Sequence, residues 1–298
     1  MSLCALCPRR CNAERGETTG DGFCGMGRTP LVARAAAHMW EEPCLSGDRG
    51  SGTVFFSGCA LGCVFCQNEP VSRHALGRAL PPKQLCELFE RVEALGVHNL
   101  NLVSPTHFAP AIFDALRLRK PRVPVVWNSS GYETVEMVRA AEGLVDIFLP
   151  DFKYADAKTS AKLAGAPDYF EVARAAILAM CEQSGPPVYS ADGLLLRGTL
   201  VRHLILPLRT GESLRILDTI AREFPAGTPV SLMRQYTPMN GVAVAGLDRR
   251  LTAREYARVR DHMLALGLPG YLQKKEAADS AYTPSFMDDE STRLFPAE

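Results

Sequence analysis

Three cysteines lie close together in one short loop, within the segment GCALGCVFCQN. Cys59, Cys63 and Cys66 are separated by three and then two residues, and two glycines ease the turn. Thiolates favour zinc or iron–sulfur, and both a structural zinc site and a cubane cluster normally take four protein ligands. The three thiols therefore predict one of two sites. One is a zinc knuckle completed by a fourth ligand such as Cys44 or a histidine; the other is a four-iron cluster with one iron open to a non-protein ligand.

A second group of four cysteines precedes this loop. Cys4, Cys7, Cys11 and Cys24 fall within 21 residues, with proline and glycine turns between them. Four thiols at this spacing can close a tetrahedral site for zinc or hold a second four-iron cluster. We favour zinc or another structural role slightly, because the segment is too short to fold without a metal. A second cluster would instead indicate an electron relay.

The composition limits the classes of protein to which the chain can belong. Ten cysteines in 298 residues are too few for a disulfide-dense scaffold, and clustered thiols in a reducing compartment more often bind metal or do chemistry. We interpret Cys44, Cys86 and Cys181 as buried apolar thiols. Lys plus Arg and Asp plus Glu both number 33, so no global basic field gathers nucleic acid. No apolar run approaches the roughly 20 residues that span a bilayer, and the N-terminus lacks an apolar signal core. We therefore expect a cytoplasmic protein with no nucleic-acid or membrane partner.

The elements that must position these thiols alternate between strand and helix. Short apolar runs predict buried strands, and apolar residues at helical spacing predict helices. The predicted strands cover 53–58, 98–104, 123–131, 144–152, 197–207 and 228–236. The predicted helices cover 81–96, 109–120, 133–141, 169–182, 211–224 and 252–267. The first helix places Leu85, Leu88, Phe89, Val92 and Leu95 on one face. Thr252 and Glu255 make a capping-box signature at the start of the last helix.

Six strand–helix units in series predict an α/β fold with a parallel sheet, curled by right-handed crossovers into a partial (β/α)6 TIM-like barrel. We divide the chain into a cysteine-rich, metal-binding N-terminal cap at 1–48, the barrel at 49–278 and a C-terminal tail at 279–298. The tail is polar, and we expect it to wrap the barrel or to be partly disordered. Reactive groups of such sheets lie at the carboxyl ends of the strands, so the polar residues that follow each strand are candidates for a single site.

The CxxxCxxC loop directly after the first strand, with Phe65 before its third cysteine, resembles that of the radical S-adenosylmethionine (SAM) superfamily. The resemblance implies a partial barrel of the radical SAM type. It also implies that Cys59, Cys63 and Cys66 hold a [4Fe–4S] cluster whose open iron binds the amino and carboxylate groups of SAM. An electron from the reduced cluster then cleaves SAM to methionine and a 5′-deoxyadenosyl radical, which abstracts hydrogen from a substrate. The cofactor carries the chemistry, and the protein orients it.

The resemblance narrows further, over nearly the whole chain from Cys4 to about Phe286. The segments EEPCLSG, GSGTVFFSGC, NLVSPTHF, NSSGYE, LPDFKY and VSLMRQYTP are similar to uncharacterised relatives of pyruvate formate-lyase activating enzymes. Activating enzymes carry a GGE-type segment after the second strand that contacts the SAM amino group, but this chain has VSPTH there. Without a carboxylate, hydroxyls or backbone carbonyls must accept those hydrogen bonds, and Ser104 and Thr106 are the candidates. His107 is either a substrate-side acid or base or a histidine satisfied within the loop.

The resemblance also implies cofactor contacts at the next two strand ends. Asn128 and Ser129 match a turn near SAM and are candidates for binding its ribose or carboxylate. Lys153 can pair with an anionic carboxylate and Asp151 can orient it; the alternative is that the two form an ordinary ion pair.

The last two strands supply the remaining candidates. The Arg202-His203 pair lies inside an apolar run, where a charge needs a partner or a polar cavity, and alternation sends only one of the two inward. Gln235 and Tyr236 follow the sixth strand, where the family places residues near the adenine, although Tyr236 could equally belong to the core. We assign catalytic roles to His107 and Arg202.

The sequence therefore indicates a radical SAM enzyme that cleaves SAM reductively and abstracts hydrogen. The narrower hypothesis is activation of a glycyl-radical enzyme, which would make a glycyl-radical protein its partner and a flavodoxin or ferredoxin its electron donor. A radical SAM enzyme that modifies a small molecule or peptide is one alternative. A non-catalytic metal-binding or electron-transfer protein is an alternative of a different class.

Overall fold

The computed structural model describes residues 4–238, 244–273 and 284–297. The strands of this part of the chain are β1 (Leu31–His38), β2 (Ser51–Phe56), β3 (Arg78–Ala79), β4 (Leu100–Val103), β5 (Val125–Ser129), β6 (Ile147–Pro150), β7 (Val188–Tyr189), β8 (Leu195–Thr199), β9 (Val201–Leu204), β10 (Val230–Met233) and β11 (Gly270–Leu272). The helices are α1 (Pro43–Ser46), α2 (Glu69–Ser72), α3 (Pro82–Glu93), α4 (Ala109–Leu118), α5 (Val135–Ala140), α6 (Ala157–Ala164), α7 (Tyr169–Ser184), α8 (Thr210–Glu223), α9 (Ala253–Ala265) and α10 (Asp289–Thr292).

The barrel wall consists of parallel strands that belong to two adjoining sheets. Strands β2, β4, β5, β6 and β8 are neighbours in this order and run parallel. Strands β9, β10 and β11 continue in the same sense. Only Leu200 separates β8 from β9, and a parallel bridge between Asp151 and Arg202 joins the two sheets. The result is the predicted α/β partial barrel, since six strand–helix units follow one another along this wall.

The helices cover the outside of the wall with their apolar faces. In α3 the buried residues are Leu85, Cys86, Leu88, Phe89 and Val92, which is the predicted stripe except at its end. The prediction for Leu95 was wrong: the helix ends at Glu93, and Leu95 is 41% exposed. The predicted capping box of α9 is present, with Thr252 and Glu255 each bonded to the other's backbone.

The polar segment 284–297 packs on an extra strand at the edge of the barrel. Strand β1 pairs antiparallel with β2, and its buried Arg34 donates a hydrogen bond to the Ser285 carbonyl oxygen and lies 3.5 Å from Glu290. Strand β1 was not predicted, because alanines and this arginine interrupt its apolar pattern. The division at residue 48 stays a prediction, and the boundary at 278/279 lies outside the described residues. Among the helices of the described residues, none is both long and apolar enough to cross a membrane.

Candidate active site

The carboxyl ends of the barrel strands surround a cavity of about 790 Å³. Parallel strands bring their carboxyl ends to one edge of the sheet, so polar residues far apart in sequence meet there. Eleven of the residues predicted from sequence line this cavity: Cys59, Cys63, Cys66, Ser104, Asn128, Ser129, Asp151, Lys153, Arg202, Gln235 and Tyr236. The cavity therefore brings together most of the predicted site residues. The chemical roles of these residues stay predictions.

The loop after β2 presents its three thiols to one another and to the cavity. Cys63 lies within electrostatic range of both Cys59 and Cys66, and burial raises the pKa of the Cys63 thiol to about 12. Tyr154 donates a hydrogen bond to the Cys63 sulfur over 3.1 Å. A buried thiolate requires positive charge nearby, and a bound metal or cluster would provide it.

The N-terminal cysteine segment packs against this loop. Arg9 donates hydrogen bonds to the carbonyl oxygens of Ala60 and Leu61, at 2.9 and 3.0 Å, and also to those of Ala164 and Gly165 at the C-terminal end of α6. Its guanidinium lies 3.8 Å from the centre of the Phe23 ring. The segment that carries Cys4, Cys7, Cys11 and Cys24 is thereby tied to the loop that carries the other three cysteines.

The four N-terminal thiols are neighbours of one another. Cys7 lies within electrostatic range of Cys4, Cys11 and Cys24, and burial raises its pKa to about 12. None of these four lines the cavity. Within the described ranges, no three cysteine, histidine or acidic side chains already converge at metal–ligand distance.

A row of alternating charges extends from the thiols into the cavity. Lys153 lies within electrostatic range of Cys63 and pairs with Asp151. Arg202 contacts the other Asp151 oxygen at 2.9 Å and lies 3.5 Å from Glu41. We call Lys153, Asp151, Arg202 and Glu41 the charge ladder. Burial alone would raise the pKa of Asp151, but Arg202 and Lys153 outweigh it and hold that pKa below its ordinary value.

The segment after β4 divides between the cavity and the core. Ser104 lines the cavity and has φ 57°, a left-handed conformation that costs a residue other than glycine about 1–3 kcal/mol and often marks a functional site. Thr106 instead donates to the buried Glu133. His107 lies under Gly58 and donates through Nε2 to the Ser57 carbonyl at 2.6 Å.

His107 and Thr106 are therefore not among the cavity-lining residues. Burial lowers the pKa of His107 to about 4, so its ring is neutral at neutral pH. This placement favours the alternative in which His107 is satisfied within the loop over a role in acid–base chemistry.

The ends of β5 and β6 are held together by one tyrosine. The Tyr169 hydroxyl lies 2.8 Å from the Ser130 and Asp151 carbonyl oxygens and accepts a hydrogen bond from the Lys153 amide. Gly131 has φ 73°, and a Cβ there would lie 2.2 Å from the Asp151 oxygen. Only glycine fits this turn, which places Asn128 and Ser129 on the cavity wall.

The last strands add a buried guanidinium and a tyrosine. Arg202 points into the cavity and donates to Asn128 at 2.6 Å, whereas His203 points outward and contacts Ser213 of α8 at 2.8 Å. Tyr236 packs edge-on against Phe65 at 5.8 Å and donates to the Leu247 carbonyl. Tyr236 thus has both cavity and core contacts.

Two cavity-lining glutamates were missed by the sequence analysis. Glu41 and Glu42 lie between β1 and α1 and reach into the barrel. Glu41 accepts hydrogen bonds from Asn101 and Asn128, at 3.1 and 3.4 Å. Burial raises the pKa of both glutamates, and the nearby Arg202 acts in the opposite direction. Two adjacent acids before a proline and a short helix were the available signal, but only the tertiary structure brings them beside Arg202.

Comparisons with known proteins show which family and folds the chain is similar to. The family model of the radical SAM superfamily matches residues 53–198. An uncharacterised protein of Methanocaldococcus jannaschii is 28% identical over 263 residues, covering 85% of this chain and 71% of that protein.

Two solved structures share the fold. A radical SAM methyltransferase from Sphaerobacter thermophilus superposes with a TM-score of 0.57 at 15% identity, covering 81% of this chain and 71% of its own. SuiB from Streptococcus suis, bound to S-adenosylmethionine, superposes with a TM-score of 0.50 at 12% identity. That match covers 74% of this chain and only 49% of SuiB, so the chain spans about half of that protein.

Proposed function

We propose that this chain is a radical SAM enzyme in which Cys59, Cys63 and Cys66 hold a [4Fe–4S] cluster that acts with SAM, because the family model of the radical SAM superfamily matches residues 53–198. When bound, these cofactors supply a 5′-deoxyadenosyl radical that abstracts hydrogen from an organic substrate. The observation that carries the proposal is the opening of the three-thiol loop into a cavity that the charge ladder also lines.

The residues of this cavity fit the two cofactors. Three thiols suit iron–sulfur binding, and Tyr154 hydrogen-bonds one of the sulfurs, a contact that tunes such sites. Lys153 is a cation beside the thiols that can bind a carboxylate, while Asp151 and the Tyr169 hydroxyl fix its position. Ser104, Asn128 and Ser129 present hydroxyl and amide groups from neighbouring strand ends. Gln235 and Tyr236 complete the wall.

Arg202 serves as a positioning residue in this proposal. It contacts Asp151 from the side opposite Lys153 and also contacts Asn128. The ladder therefore fixes the orientation of two candidate SAM-binding residues at once. The N-terminal cysteines hold a separate structural metal, zinc in our preferred version, because their thiols lie outside the cavity.

The narrower candidate is activation of a glycyl-radical enzyme, supported by the similarity of the segments EEPCLSG, NSSGYE and LPDFKY to relatives of activating enzymes. Modification of a small molecule or peptide is the second candidate, and the buried Glu42 favours it because its side chain offers an acceptor for a polar substrate. A glycyl radical detected by electron paramagnetic resonance on an added partner protein would select the first candidate.

The decisive experiment is anaerobic reconstitution with iron and sulfide, followed by dithionite and SAM. We expect 5′-deoxyadenosine, measured by mass spectrometry, together with a SAM-dependent change in the electron paramagnetic resonance spectrum of the reduced protein. Absence of both from protein that retains its iron would leave a non-catalytic metal-binding or electron-transfer protein as the better description.

A further inference from the structure

The two glutamates at the inner end of the cavity differ in how they are satisfied. Glu41 is engaged through both oxygens, by Asn101 and Asn128 on one and by Arg202 on the other. Glu42 is 8% exposed, and its Oε2 atom is buried without a hydrogen-bond partner among the described residues. The buried hydroxyl of Ser231, which also lines the cavity, lies close enough to Glu42 to stabilise its carboxylate, but it likewise makes no well-formed hydrogen bond among the described residues. Buried polar atoms normally find partners, so this pair indicates a missing ligand group.

The charges of the cavity are unbalanced at the same place. Among the described residues that line it, Glu41, Glu42 and Asp151 are acidic, and Lys153 and Arg202 are basic. The bases are already shared by Asp151 and Glu41 along the charge ladder. Glu42 also lies within electrostatic range of Arg202, so three carboxyls share two cations, and an additional cation would compensate the excess.

The position of Glu42 separates it from the cluster loop. Lys153 is within electrostatic range of Cys63, whereas the charged groups that act on Glu42 are Arg202 and Glu41. Ser231, the register partner of Arg202 on the neighbouring strand, lies beside Glu42, so Glu42 adjoins the Arg202 end of the ladder. The proposed SAM contacts are Lys153, Asp151 and the strand-end residues, which leaves Glu42 for a second ligand.

We propose that Glu42, with the Ser231 hydroxyl, binds a protonated amine of the substrate. This inference rests on the proposed function, since it assigns a substrate class to the same cavity. An ammonium group donates three hydrogen bonds, which suits the carboxylate, the hydroxyl and one further acceptor. Its charge would also offset the excess carboxyl, and a buried charge-assisted bond of this kind is among the stronger polar contacts in proteins. The substrate is thus an amine-bearing small molecule or peptide.

Calorimetric titration of three probes of equal chain length tests the assignment. The reconstituted enzyme, saturated with SAM and kept oxidised so that no cleavage occurs, is titrated with 1-pentylamine, 1-pentanol or pentanoate. We expect the amine to bind at least about tenfold more tightly than the alcohol, and pentanoate to bind most weakly. This comparison needs no variant, so a folding defect cannot obscure it.

Two variants assign the site to its residue. E42Q keeps the shape of the side chain but removes its charge, and we expect it to weaken pentylamine binding about tenfold. E133Q is the matched control, because Glu133 is also buried with its Oε2 unpartnered among the described residues, but its Oε1 bonds Thr106 and Trp127 and the residue does not line the cavity. We expect E133Q to bind the amine as the wild type does.

Several results would overturn the proposal. They are equal binding of amine and alcohol, unchanged amine binding by folded E42Q, and competition between pentylamine and SAM, which would assign the ammonium site to SAM itself. The binding measurement contains no reductant. Failure to form 5′-deoxyadenosine would therefore contradict the proposed function without changing the binding result, and the two failures are distinguishable.

Discussion

The two cysteine groups of this protein lie against each other yet are built differently. Cys59, Cys63 and Cys66 open into a cavity with Lys153 beside them. Cys4, Cys7, Cys11 and Cys24 face one another in a segment outside that cavity, held on the barrel by arginine side chains such as Arg9. The difference shows how ligand number and access separate two uses of the same side chain. Four thiols saturate a metal, whereas three beside a cavity leave room for a reactant.

The largest expected effect comes from removing a thiol of the three-cysteine group that lines the cavity. Cys63→Ala should lower 5′-deoxyadenosine formation at least about 100-fold and remove iron, because a cluster ligand is lost. Cys86→Ala is the control, since Cys86 is a buried thiol of α3 outside the cavity, and it should retain activity. Mass spectrometry of the product and iron analysis provide the measurements. Full iron and activity in Cys63→Ala would refute the ligand assignment.

A smaller effect is expected from replacing Lys153, the cation beside the three-cysteine group. Lys153→Gln leaves Asp151 with one basic partner and should lower the free energy of unfolding by about 3 kcal/mol at neutral pH. Exposed Lys158 offers a control, and Lys158→Gln should stay within about 0.5 kcal/mol. Urea unfolding of reconstituted protein measures both. No loss in Lys153→Gln would mean that the ladder does not stabilise the barrel.

The pH dependence of the same variant has a defined sign. The pKa of Asp151 is lowered in the folded protein, so its contribution to stability is present at neutral pH and lost as pH falls through that pKa. Without Lys153 the folded pKa rises toward its ordinary value. The difference between wild type and variant should therefore be largest at neutral pH and shrink in acid, and a constant difference would assign the loss to packing.

The N-terminal group of four cysteines should respond to substitution in the opposite manner to the group of three beside the cavity. Cys7→Ala should remove the N-terminal metal and lower the melting temperature by roughly 5 °C, yet keep 5′-deoxyadenosine formation within about twofold of wild type. Elemental analysis tells zinc from iron at this site. If Cys7→Ala stops SAM cleavage while the barrel stays folded, the N-terminal site is an electron relay and the contrast between the two groups disappears.

The smallest effect concerns the contact between the two groups. Arg9→Ala removes hydrogen bonds to the Ala60 and Leu61 carbonyl oxygens, which should loosen the cluster loop and raise KM for SAM by about three- to tenfold. Neighbouring Arg10 is exposed, and Arg10→Ala should leave KM unchanged. Identical KM values for the two variants would show that the loop holds its conformation without Arg9.

Local patterns were sufficient wherever one element buries one face. The six strand–helix units, the apolar face of α3 and the capping box of α9 depend on near neighbours in sequence, and all were predicted. Strand β1 was missed because its burial depends on β2 and on the segment 284–297, which covers Arg34. The end of α3 at Glu93 left Leu95 exposed, since the apolar period continued past the point where the chain turned.

The site divides in the same way between local and tertiary information. The thiol spacing of Cys59, Cys63 and Cys66 and the polar ends of the strands are visible in the sequence, because parallel strands with right-handed crossovers must bring those ends together. Which polar residue faces the cavity was decided by packing. The His107 ring lies against the loop at Ser57 and Gly58. Arg202 points into the cavity, and His203 points away from it toward α8.

The sequence by itself determined the family of fold and the identity of the thiols, since spacing and periodicity are local properties of the chain. Only the tertiary structure decided that Glu41 and Glu42 reach into the barrel beside Arg202. The physical reason is that a buried charge is stable only with partners. The partners of Glu41 come from β4, β5 and β9, which are between about 60 and 160 residues away in the chain.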